Sequence, residues 1–369
     1  MNILHVSDID TTVKGGGINT IVMRLLSQQS KYDNLSLMVF KDFKEHENIN
    51  IIRFSGLKDF SKFVKKERVD AVVFHSVYKI EYVFLAMLLK INNVKYFIHS
   101  HGALQKEAIN KKGFGKRVFT RLILPSFIKQ STGVFFCSPN EIKNSLYSDK
   151  SIGYIFNAPG FNKNKVKVNK NKSNDKFKLT YIGKIDFYYK GIDELLKAVA
   201  LLKNDKLELN LYGYGKYKDL DVNYIKDDDS DIIRLLRTIE KLHLGNNVFF
   251  HGPVHGGRKE AVFLDSDVFV LTSRSEGMPL SIVESFYYGV PVLVTDRTNM
   301  GCLVKKYSAG KVVSFSVESI CDGIKELMDS SRVNLDMRNN SRAAFINEFE
   351  TYDMGEKMHI GIKKNLSKI

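Results

Sequence analysis

The chain has 369 residues, 44% of them apolar, which exceeds the length at which one hydrophobic core usually stops growing and suffices to fill two. A net charge of +15 points to anionic partners, whether phosphorylated small molecules, an acidic membrane surface or nucleic acid, and does not choose among them. No apolar run reaches the roughly eighteen residues of a membrane span, and the opening Met1–Asp10 has neither a basic leader nor a small-residue cleavage site, so the expectation is a cytoplasmic chain, peripheral at most at the inner face of the cell membrane.

In chain order, apolar strands are predicted at Ile3–Ser7, Leu35–Phe40, Ala71–Ser76, Tyr96–Ser100, Val134–Ser138 and Tyr154–Phe156, each separated from the next by a helical pattern. Asn162–Lys176 is almost wholly charged or amidated and reads as a linker. The alternation restarts at Leu179–Gly183, Leu207–Tyr212, Val248–His251, Val268–Leu271 and Val292–Thr295. This is an α/β chain of two doubly wound domains, 1–165 and 178–340, joined by a linker at 166–177, with a helical tail at 341–369 that can return to the first domain. Cys137, Cys302 and Cys321 lack zinc or disulfide spacing and are expected to be buried free thiols in a reducing compartment.

The sharpest motif lies at residues 267–296. A buried strand ends at Thr272, a loop carries Glu276, Pro279 opens a helix at its first position, and Gly289 closes it. Loops at the carboxyl ends of parallel strands bind ligands in open α/β sheets. A helix amino terminus suits a diphosphate, placed here near Gly277, Met278, Pro279 and Leu280. Glu276 and Glu284 are able to accept hydrogen bonds from sugar and ribose hydroxyls, respectively. The string Glu-Gly-Met-Pro-Leu-Ser-Ile-Val-Glu, followed by Gly-Val-Pro-Val-Leu, closely resembles the signature of the family-4 retaining glycosyltransferases. That resemblance implies the GT-B fold, two Rossmann-like doubly wound domains facing a central cleft, with the nucleotide-sugar site in the carboxy-terminal domain and the acceptor on the amino-terminal one.

Further residues follow from the same resemblance. Lys184 and Lys190, the latter before Gly191, match a basic pair that neutralises the departing diphosphate, although Lys184 stands where Arg is more usual and offers a point charge instead of a bidentate fork. No Asp-X-Asp triplet follows a strand except Asp265-Ser266-Asp267, which begins one, so no metal is expected and lysines take its electrostatic role. Gly183, Gly213, Gly215 and Val254 are placed on the nucleotide side. The loop Lys14–Gly17, with Gly16 and Gly17, lets backbone approach a ligand closely. His99 and His101 end one strand; His99 reads as structural, and His101, followed by Gly102, matches the family's His-Gly segment and is the candidate for contacting sugar or acceptor hydroxyl.

Gln105–Gln130 interleaves Lys106, Lys111, Lys112, Lys116, Arg117, Arg121 and Lys129 with Phe114, Phe119, Leu122, Ile123, Leu124 and Phe127, a pattern shared by a helix on anionic lipid and an ordinary domain helix with a core face; reversible binding to an anionic membrane surface is the expectation. The reading is a retaining transfer of a sugar from a UDP- or GDP-linked donor, a substrate and not a cofactor, to a saccharide acceptor that is lipid-linked, in assembly of a bacterial surface polysaccharide such as capsule or O-antigen. No nucleophilic carboxylate beneath the anomeric carbon is identified. A nucleotide-sugar epimerase of similar scaffold is disfavoured by Lys190-Gly191 and the paired glutamates. A nucleic-acid-binding protein is supported by charge alone, no recognised nucleic-acid motif being present, and nucleic acid is not an expected partner.

Overall fold

The computed structural model describes residues 1–12, 17–109, 118–158, 176–215, 230–329 and 335–367. Two compact units divide the chain, Met1–Gly160 with Tyr352–Ile369, and Phe161–Thr351.

Unit 1 carries strands β1 (Asn2–Ser7), β2 (Asn34–Val39), β3 (Asn50–Arg53), β4 (Ala71–His75), β5 (Lys95–His99), β6 (Gly133–Phe136) and β7 (Ser151–Tyr154). They form one parallel sheet in the order β3-β2-β1-β4-β5-β6-β7. Its central strands are buried along their length, as β4 with Ala-Val-Val-Phe-His shows, because crossover helices cover both faces of a parallel sheet. Those helices are α1 (Gly17–Gln29), α2 (Leu57–Lys66), α3 (Ile80–Ile91), α4 (Lys106–Ile109), α5 (Leu124–Gln130) and α6 (Pro139–Lys143), with a π-helical turn at Phe119–Ile123. The edge strand β3 escapes the sequence reading because Asn-Ile-Ile-Arg neither alternates nor forms an apolar run. The last strand also lies earlier than expected: Ser151–Tyr154 pairs with β6 through a register shift, and Tyr154–Phe156 is not the strand.

Unit 2 repeats the design with β8 (Phe177–Ile182), β9 (Leu207–Tyr212), β10 (Val248–Phe250), β11 (Val268–Leu271), β12 (Val292–Thr295) and β13 (Gly310–Val313), parallel in the order β10-β9-β8-β11-β12-β13. Its helices are α7 (Ile192–Leu202), α8 (Ser230–Lys241), α9 (Gly256–Asp265), α10 (Leu280–Tyr287), α11 (Gly301–Tyr307), α12 (Val317–Asp329) and α13 (Leu335–Glu348).

The tail divides later than the sequence reading places it. Helix α13 belongs to unit 2, where Arg338 Nη2 donates to Ser266 O at 2.6 Å and Arg342 Nη1 to Tyr287 O at 2.7 Å. The chain returns to unit 1 from Tyr352 onward, through α14 (Met354–Leu366). Asp353 caps α14 by accepting from Glu356 N at 2.9 Å. Gly355 lets it lie against α1, for a Cβ there would stand 2.2 Å from Gln29 N. His359 Nδ1 then reaches Asp33 Oδ1 at 2.9 Å. Of the three thiols, Cys137 and Cys321 are buried and Cys302 is exposed, correcting the expectation for the last.

Candidate active site

In unit 2 the strand order reverses between β8 and β11, so the loops leaving their carboxyl ends part and open a crevice there. The β8 loop brings Lys190 and the β11 loop brings Glu276. Lys190 Nζ lies 2.5 Å from Glu276 Oε1, and Ser273 Oγ donates to the same oxygen at 2.6 Å. The two charged side chains are 26% and 13% exposed, so the pair is reachable yet largely shielded, and each charge compensates the other. Gly191 explains the tight approach: its φ is +66°, and a Cβ would sit 2.0 Å from the Thr272 carbonyl oxygen. Thr272 Oγ1 donates to Gly191 O at 3.0 Å, tying the two loops together.

The turn around Glu276 is clamped from behind. Asn299 Nδ2 donates to Glu276 O at 2.6 Å and to Gly277 O at 3.2 Å. Arg274 forms a bidentate pair with Asp193, 2.7 and 2.8 Å, and lies over the Tyr188 ring, fastening the β11 loop to the start of α7. Neither Asn299 nor Arg274 was singled out from sequence; the Ser-Arg-Ser-Glu order offered no signal, because the partners lie in other loops.

Pro279 stands one step outside α10 and not at its first helical position, its backbone extended at ψ 119°. Its carbonyl accepts from Ile282 N at 3.2 Å, so Leu280 begins the helix. Gly289 ends it with φ +65° and Val290 N on Ser285 O at 2.9 Å, a Schellman closure. Met278 is buried and Gly277 half-buried before the helix start. Glu284, one turn inside α10, pairs with Lys259 of α9, whose Nζ is 2.6 Å from Oε1 and 2.5 Å from Oε2. Lys259 is a further cation that sequence reading missed.

Lys184 is exposed at the other end of the β8 loop and forms no ion pair among the described residues. Its carbonyl accepts from Tyr181 Oη at 2.7 Å, and burial followed by the Glu276 carboxylate pushes that phenol well up, keeping it a neutral donor. The glycines serve backbone proximity: a Cβ on Gly213 would lie 1.8 Å, unphysically close, from Gly183 O, and Gly213 N donates to Gly252 O at 2.8 Å. Gly215 is buried at the end of this stretch, as is Val254 past β10.

Unit 1 has its own reversal, between β1 and β4. There the structure gathers His5, His75, His99 and His101, where sequence reading had named the last two. His5 Nδ1 and His75 Nε2 are 2.9 Å apart, as are His75 Nδ1 and His101 Nε2. Burial lowers the imidazole pKa of His5 to about 3 and of His101 to about 4, and burial with neighbouring rings depresses His75 and His99 well below the usual range, so all are neutral at pH 7. His75, His99 and His101 can place ring nitrogens within 4.8 Å of one another, a metal-like spacing, but both nitrogens of His75 are engaged by its neighbours. His101 adopts φ +48° and Gly102 +82°. Behind them the buried Glu141 accepts from Ser100 Oγ and Cys137 N, both at 2.7 Å, fixing the turn. Gly17 is the exposed first residue of α1; Gly16 lies outside the described residues, as do Lys111, Lys112, Phe114, Lys116 and Arg117 of the basic segment and nearly all of the 166–177 linker.

Residues 162–344 match the sequence model of the family described as glycosyl transferases group 1. A curated relative, a 41.2 kDa protein in the cps region of Klebsiella pneumoniae, is 24% identical over 96% of this chain and 97% of its own length. A second, the UDP-Gal:alpha-D-GlcNAc-diphosphoundecaprenol alpha-1,3-galactosyltransferase of Escherichia coli, is 24% identical over 84% of this chain and 80% of its own. Among solved structures, Anabaena Alr3699/HepE in complex with UDP superposes with a TM-score of 0.74 at 16% identity, covering 99% of this chain and 100% of that one.

Proposed function

We propose that this chain, a glycosyltransferase of the group 1 family with the GT-B fold, performs retaining transfer of a hexose-type sugar from a UDP- or GDP-linked donor to a saccharide acceptor carried on a lipid. The observation that carries the reading is the Lys190–Glu276 pair at the switch point of unit 2, next to the start of α10. An arriving diphosphate competes for the Lys190 ammonium and draws on the amino-terminal field of α10, with Lys184 as a second cation. Glu276, released from Lys190, accepts from hydroxyls of the transferred ring. Glu284 keeps Lys259 and accepts from ribose hydroxyls with its remaining lone pairs.

The two curated relatives favour surface polysaccharide assembly, and the galactosyltransferase, like the UDP complex, makes a UDP-linked hexose the first donor to test. No helix among the described residues is long and apolar enough to cross a membrane. A lipid-linked acceptor is reached instead from the surface. Unit 1 exposes Ile80, Phe84, Met87 and Ile91 along one face of α3 and Leu122 in the π-helical turn, with Arg121 beside it, an apolar and cationic surface suited to anionic headgroups.

The test is a nucleotide-sugar panel with an undecaprenyl-diphosphate-linked saccharide acceptor. Transfer with retention at the anomeric carbon is expected. An inverted product, or no turnover with any nucleotide sugar, rejects the reading.

A further inference from the structure

The histidine contacts of unit 1 form a directed chain. Its buried end is Asp33, whose Oδ1 takes the amino-terminal ammonium at 3.2 Å and His359, and whose Oδ2 accepts from Gln29 Nε2 at 2.9 Å. A carboxylate only accepts, so the Gln29 amide nitrogen faces Asp33 and its oxygen faces away. His5 Nε2 and Gln29 Oε1 are both buried and neither has a hydrogen-bond partner among the described residues, while the Gln29 side chain is one of the groups that act on the His5 ring. A buried donor opposite a buried acceptor satisfies both only if His5 carries its proton on Nε2.

The remaining assignments follow because a neutral imidazole has one N–H and one lone pair. His5 Nδ1 must accept, so His75 donates from Nε2. His75 Nδ1 then accepts, so His101 donates from Nε2. We infer that Asp33, Gln29, His5 and His75 form a tautomer lock that leaves His101, the partly exposed ring of the chain, presenting a lone pair on Nδ1 to a ligand hydroxyl and no N–H to a phosphate. His5 and His75 are positioning residues here, and the neutrality that burial imposes on every ring keeps the direction of the chain defined. The lock rests on the transferase reading only in naming the ligand as a saccharide hydroxyl.

The test reads the ligand-free, full-length protein labelled with isotope-enriched histidine, by long-range proton–nitrogen correlation at neutral pH. His101 is expected with a protonated Nε2 and an unprotonated Nδ1. A proton on Nδ1, or an even mixture of tautomers, overturns the lock. Gln29→Met keeps the side-chain length but removes the acceptor; it is expected to mix the His101 tautomers and to lower kcat about tenfold with the donor KM within about twofold. An unchanged tautomer in Gln29→Met also overturns the lock, and the wild-type spectrum decides by itself if that variant does not fold. The loss from Gln29→Met is expected to vanish in a His101→Ala background, whereas additive losses assign Gln29 a merely structural role. Because the spectrum needs no substrate, a protein with the predicted tautomer and no transferase activity would refute the function and leave the lock standing.

Discussion

The two switch points are built from opposite materials. At the reversal of unit 2, charges meet in pairs, Lys190 with Glu276 and Lys259 with Glu284. At the reversal of unit 1, His5, His75, His99 and His101 meet with their charges suppressed by burial. Paired charges suit a diphosphate, which exchanges one partner for another, while neutral rings suit hydroxyls, whose recognition depends on which nitrogen holds the proton. The same sheet position thus offers different chemistry according to whether its side chains remain ionised.

Acid separates the two regions most strongly. His5 and His101 have pKa values lowered from 6.5 to about 3 and about 4, and His75 and His99 shift the same way, so the unfolded chain binds these protons first. Their stabilising contribution is complete above about pH 6.5. As pH falls below that, each fully buried ring costs up to about 1.4 kcal/mol per pH unit, until its folded pKa is reached. Glu141, whose carboxyl is raised by burial, acts in the opposite direction, one group against several. Calorimetry is expected to show the melting temperature of unit 1 falling steeply as the pH drops from about 6.5 toward about 4; an unchanged transition would break the comparison.

Next in size, Lys190→Ala is expected to lower kcat about a hundred- to a thousandfold in a transfer assay, as loss of a group stabilising the departing charge does. Lys190→Arg is expected to recover part of it. Retained activity in Lys190→Ala would show that the pair is only structural. A milder effect is expected of Glu284→Gln, about a tenfold rise in donor KM with kcat little changed, since uniform binding to ribose is lost. The smallest effect concerns the surface: Met87→Asp is expected to reduce sedimentation with anionic vesicles a few-fold, and added salt to reduce it further. Equal binding to neutral vesicles would count against that surface.

Much of this organisation is legible along the chain because it is local. Continuous apolar runs such as Val268–Leu271 announce buried parallel strands, and β3 and β13 are missed because short edge strands carry little pattern. Gly289 as a helix stop and Gly191 beside a close approach follow from backbone sterics that any reader of glycine can apply. Pro279 shows the limit of such reading, its boundary moving by one residue once the carbonyl found its acceptor role.

The sequence by itself determined two parallel α/β halves, the Glu276–Glu284 string and a lysine before Gly191. Tertiary structure alone decided their partners: Lys190 with Glu276 across 86 residues, Lys259 with Glu284 across 25, and His5 with His75 across 70. The reason is that a parallel sheet sets beside each other strands that are distant in sequence, and it is the sheet order that brings the ends of β8 and β11, or of β1 and β4, together. Which nitrogen of His101 holds its proton is more remote still, for it is set at Asp33, through side chains whose pairing no local pattern encodes.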